Sequence, residues 1–161
     1  MTTLVAQLAP QRSTQYAELV AQLAPHELAL STIGAHITGE IIPVQLGTQT
    51  YLKFDVDDTD AVLSALDHLA LTDAYFIHYD SLGDVTGPLL KPLADVPTPY
   101  FLPPSLVETR RYRGKTNELF TQFMCNVARH SSDYRGTPWP KLTLLDPLAG
   151  GGTTLFAGLI L

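Results

Sequence analysis

Apolar positions along this chain change spacing several times, and each change marks an expected element. Residues 15–24 place Tyr16, Leu19, Val20 and Leu23 on one face of a helix, and Pro25 is expected to end it. Within that stretch, Leu19-Val20-Ala21-Gln22-Leu23-Ala24-Pro25 repeats Leu4-Val5-Ala6-Gln7-Leu8-Ala9-Pro10 without change, fifteen residues on. A solenoid needs three or more stacked units, so the pair reads as a local duplication of a helical piece. Residues 28–36 are expected to form a strand. Residues 40–46 and 50–56, with β-branched and aromatic side chains on both arms, predict a hairpin around Gly47-Thr48-Gln49. Residues 61–71 set Val62, Leu63, Leu66, Leu69 and Ala70 at helical spacing, and residues 74–79 read as another strand. This order predicts a small α+β domain with helices packed on one sheet face.

Proline then breaks the pattern. Residues 88–104 hold Pro88, Pro92, Pro97, Pro99, Pro103 and Pro104, half of the chain's twelve prolines. Proline lacks a backbone donor and stiffens the chain, so this stretch is expected to be an extended linker outside any central sheet. The expected organisation is a domain at 1–87, a linker at 88–104 and a second region at 105–161. Within that region, residues 116–129 predict a helix capped by Thr116 or Asn117. Glu118 sits in its first turn, and Leu119, Phe120, Phe123, Met124 and Val127 form its apolar face. Residues 131–140 read as a loop. Residues 141–145 (Lys-Leu-Thr-Leu-Leu) read as a short buried strand, 146–154 as a glycine-rich turn, and 155–161 as the opening of an apolar helix.

Composition narrows the class. Hydrophobic content of 45% with 16% charged residues fits a globular chain and not a disordered one. The single Cys125 excludes an intramolecular disulfide and fits a reducing, cytoplasmic setting. The start lacks the basic and apolar blocks of a signal peptide, and no apolar run approaches the roughly 20 residues of a membrane span. Net charge is −6, but residues 1–107 carry −9 and residues 108–161 carry +3. That asymmetry points modestly to an anionic partner at the second segment.

The glycine turn carries the chemistry. Glycines let a backbone approach a ligand closely and take positive φ, and the helix beyond presents unpaired N–H groups. A phosphate-binding P-loop would need Gly-Lys-Ser/Thr, and here Thr153 follows Gly152 directly. A dinucleotide fingerprint wants G-x-G-x-x-G, and after Gly150-Gly151-Gly152 the next glycine is Gly158. The carboxylate of Asp146 directly before Pro147 suits a ligand with a positively charged amino-acid moiety, as S-adenosylmethionine has.

The stretch Leu144-Leu145-Asp146-Pro147-Leu148-Ala149-Gly150-Gly151-Gly152-Thr153-Thr154-Leu155 resembles motif I of class I SAM-dependent methyltransferases. It is closest to the amino-methyltransferases of RNA and DNA with their Asp-Pro-Phe-x-Gly-x-Gly-Thr pattern, from which Leu148 departs at the Phe position. The resemblance covers residues 105–161. It extends to tRNA guanine-N2 methyltransferases, which carry an α+β RNA-binding region ahead of the catalytic domain; for residues 1–95 the likeness is architectural only. It implies the first elements of a Rossmann-like α/β domain, truncated here, and S-adenosyl-L-methionine as cofactor. The implied reaction is methyl transfer to an exocyclic amino nitrogen of a nucleic acid, RNA favoured over DNA. The implied cofactor-binding residues are Asp146, Pro147, Ala149, Gly150, Gly152, Thr153 and Thr154, with Gly114, Lys115 and Thr116 as a second wall. The family's catalytic Asn/Asp-Pro-Pro-Tyr/Phe loop does not occur in this chain, so no catalytic residue is assigned and the chain alone is expected to be inactive.

Other features have competing readings. Arg110, Arg111, Arg113 and Lys115 would meet phosphate or the cofactor carboxylate, or else form a solvated basic loop. Asp55, Asp57, Asp58 and Asp60 hint at a calcium loop, but Asp60 and Leu66 stand where such a loop needs Gly and Glu, so capping is the better reading. The five histidines show no metal-ligand spacing, and Cys125 reads as core. Tyr75, Phe76, Tyr79, Tyr100 and Phe101 could stack bases, though strand and linker packing is the commoner role. The alternative to the methyltransferase is a non-catalytic binding or adaptor module.

Overall fold

A computed structural model describes residues 1–11, 13–65, 69–93 and 115–161. The chain divides into two compact units, one of residues 1–67 and 71–96, the other of residues 68–70 and 97–161. The first is an α+β unit. Its elements are β1 (Thr2–Leu8), α1 (Thr14–Leu30), a 3-10 turn (Ile33–His36), β2 (Ile37–Leu46), β3 (Gln49–Val56), α2 (Thr59–Ala65), β4 (Thr72–Leu82) and β5 (Val85–Pro92). The five strands form one antiparallel sheet in the order β2-β3-β1-β4-β5. Among the described residues no helix is long and apolar enough to cross a membrane.

β1 is the central strand. Leu4 pairs with Phe54 and Ala6 with Leu52, so these four side chains share one face, and all are at most 2% exposed. α1 packs against β1 and β2 and buries Val20, Ala24 and Leu28, four residues apart. Fully burying a side chain of this size contributes about 1.5–3 kcal/mol each. On the opposite face Tyr51 and Phe76 meet edge to face at 6.2 Å across β1, where Val5 is fully buried.

Several expectations are overturned here. The first copy of the repeated heptapeptide is not helical; its residues 4–8 lie in β1. Pro25 does not end α1, which continues to Leu30. A proline inside a helix removes one donor, and packing by the residues on either side of it, Ala24, Glu27 and Leu28, offsets that loss. Residues 28–36 form the end of α1 and a 3-10 turn instead of a strand. That turn depends on Gly34, where a Cβ would stand 1.9 Å from the carbonyl oxygen of Ala29.

The hairpin is present, with Gly47 at φ 63° in its turn. α2 starts earlier than expected, at Thr59, and residues 69–71 lie outside it. Of the acidic cluster, Asp58 caps it: its Oδ1 accepts from the N–H groups of Asp60 and Ala61, both at 3.0 Å. Asp55 accepts from the Thr3 hydroxyl at 2.6 Å, and Asp57 lies 3.5 Å from His36.

The strand β5 was not expected, and residues 88–92 belong to it instead of to a linker. Pro88 falls where the β4–β5 register shifts, on an edge strand, and that is where a sheet tolerates proline. The other edge, β2, carries a bulge between Thr38 and Ile42 that includes Gly39 at φ 91°. Both edges are thereby blunted against pairing with another chain.

Glu27, 2% exposed, accepts the N–H of Leu71 at 2.9 Å. Replacing Glu27 by Ala leaves that buried donor without its acceptor and should lower unfolding free energy by about 2–3 kcal/mol. Glu27→Gln, which retains an oxygen, should cost less; equal losses in urea denaturation would refute the role of the oxygen. Gly34→Ala should cost more than about 3 kcal/mol, in the tail of single-substitution effects, because the obstacle is backbone.

Candidate functional site

The described part of the second unit contains α3 (Glu118–His130), a 3-10 turn (Trp139–Lys141) and α4 (Thr153–Ile160). α3 begins as expected. Asn117 Oδ1 accepts the Phe120 N–H at 2.9 Å, and Glu118 sits in the first turn, ion-paired with Lys115. Its buried stripe differs from the expected apolar face. Met124 is 50% exposed, while Gln122, Cys125, Asn126, Arg129 and His130 are buried.

Two contacts accompany the burial of Arg129 at the helix end. Arg129 Nε donates to the Thr137 carbonyl at 3.1 Å, and its guanidinium lies 5.4 Å from the centre of the Trp139 ring. A cation in the last turn also complements the helix dipole.

Residues 141–145 do not form the expected strand. Lys141 closes the 3-10 turn, Leu142 is extended (φ −97°, ψ 151°), and no strand among the described residues pairs with 142–146. The in–out alternation survives: Leu142 and Leu144 are half-buried, and Leu145 is 86% exposed. A strand exists only through its neighbours' hydrogen bonds, so the pattern without a neighbour gives an extended segment.

The glycine turn is built as its sequence implies. Asp146 Oδ1 accepts the Leu148 N–H at 2.9 Å, an Asx turn that fixes the carboxylate against the loop. Gly150 has φ 50° and Gly152 φ 82°, the left-handed region that side chains resist. The Gly152 N–H donates to the Ala149 carbonyl at 2.7 Å, and the Gly152 carbonyl accepts from Phe156 at 3.0 Å, opening α4. The helix therefore starts at Thr153, two residues before the expected Leu155.

Asp146, Pro147, Ala149, Gly150, Gly152, Thr153 and Thr154 thus form one continuous turn, with Thr153 buried and Pro147 exposed. Lys115 and Thr116 precede α3. Gly114, Arg110, Arg111 and Arg113 lie outside the described residues.

Two residues near the turn were not marked as functional by their sequence. Gly158 brings α4 close to the extended segment, since a Cβ there would stand 2.8 Å from Leu144 Cδ2. Its place after a glycine turn was the available signal. Cys125 is buried, as its apolar helix implied. Burial first, and the charge of Asp146 second, push its thiol above the usual range. α3 packs against α4, the helix that follows the turn, and no spacing rule could have shown it.

Cys125, Arg129, Tyr134, Trp139, Leu144 and Leu159 help wall a cavity of about 520 Å³. No group of three or more His, Cys, Asp or Glu among the described residues is placed to hold a metal ion.

Asp146→Asn removes a charge that opposes thiolate formation, so the Cys125 pKa should fall. Its reaction with a disulfide reagent at mildly alkaline pH should quicken by about two- to tenfold; an unchanged rate would separate the two residues. Gly152→Ala should cost about 1–2 kcal/mol from the left-handed backbone alone, read from thermal unfolding.

Compared with protein-family models, curated proteins and solved structures, the chain matches none.

Proposed function

We propose that the second unit carries the cofactor-binding turn of a SAM-dependent methyltransferase acting on a nucleic acid, RNA in preference to DNA. The observation that carries this reading is the turn itself. A carboxylate, two glycines with positive φ and the start of a helix follow one another within eight residues, Asp146 to Thr153. The carboxylate offers a counter-charge to an ammonium or a hydrogen-bond acceptor to a sugar hydroxyl, and the bare glycine backbone gives room for the adenosyl body.

In this reading Lys115 and Thr116, with Gly114, approach the methionine carboxylate. Arg110, Arg111 and Arg113 meet phosphate. The reaction would be methyl transfer to an exocyclic amino nitrogen. Its acceleration would come mainly from aligning the nitrogen lone pair with the sulfonium methyl and from excluding water. The enzyme would work in the cytoplasm, where the free thiol of Cys125 stays reduced. The sequence holds no Asn/Asp-Pro-Pro-Tyr/Phe loop, so this chain alone should bind cofactor weakly and show no turnover.

Isothermal titration with S-adenosylmethionine tests the site. Saturable binding should appear, and Asp146→Asn should weaken it roughly tenfold or more through loss of one charge-assisted contact. Asparagine keeps an oxygen for the Leu148 N–H, so the loop should survive and the loss should report charge. Absence of saturable binding at millimolar cofactor would overturn the proposal, and robust methylation by the chain alone would overturn the assignment of catalysis to a missing motif.

The second reading, a non-catalytic adaptor module, draws on exposed apolar side chains. Leu145 is 86% and Leu148 90% exposed, with Leu155 and Leu159 near half. Large apolar patches mark interaction surfaces. Light scattering separates the two: a monodisperse chain favours the adaptor, and concentration-dependent association favours the methyltransferase reading.

A further inference from the structure

We draw no further inference here: the strongest candidate, the cavity of about 520 Å³ between α3, α4 and residues 139–144, is walled largely by leucine and aromatic side chains, and nothing in the structure shows what covers it.

Discussion

Both backbone groups of Leu71 are held by distant parts of the chain. Its N–H donates to Glu27 on α1, and its carbonyl accepts from Ala9, just past the end of β1. A buried backbone group must find a partner, and this residue finds two where three segments converge. The arrangement places the start of β4 against the end of β1 and ties α1 to both. With β4 so positioned, β1 has a neighbour on each side, and the row of Leu4, Ala6, Leu52 and Phe54 can close beneath α1. The sheet's edges, each carrying a bulge or a proline, then limit growth to five strands.

The second unit is organised by backbone geometry as much as by apolar burial. Gly150 and Gly152 take positive φ, and the Asp146 side chain braces the turn from within. Gly158 allows α4 to settle close to Leu144. On the other side, α3 buries polar groups in place of a simple apolar stripe, and Arg129 among them donates to the Thr137 carbonyl. The charge of Asp146 is felt by a buried thiol on α3.

What could be read from the residues follows the range of the interactions involved. The hairpin, the caps of α2 and α3 and the glycine turn are set within a few residues, and Gly47, Asp58, Asn117 and Gly152 act where local chemistry places them. The strand at 85–92 was hidden by its prolines, because an edge position that excuses proline is a property of the sheet and not of the strand. The segment 141–145 was over-read for the converse reason. Its alternation is real, but strand structure belongs to pairs of chains. The buried stripe of α3 was misplaced because a residue such as Arg129 goes inside where distant groups, here Thr137 and Trp139, meet it.

The repeated heptapeptide draws the line between the two sources of information. Seven identical residues form a strand at 4–8 and helix at 19–25. By themselves they determine apolar content and an end marked by proline, and their spacing satisfies both a period of 2 and a period near 3.6. Beside β3 and β4 the first copy has hydrogen-bond partners on both edges, and Leu4, Val5 and Ala6 are all buried. The second copy lies inside a helix that extends on both sides of it, and only Val20 and Ala24 reach full burial. The residues fixed what could be buried and where a glycine turn could form. Tertiary structure decided which backbone groups found partners, and hence which conformation the same seven residues took.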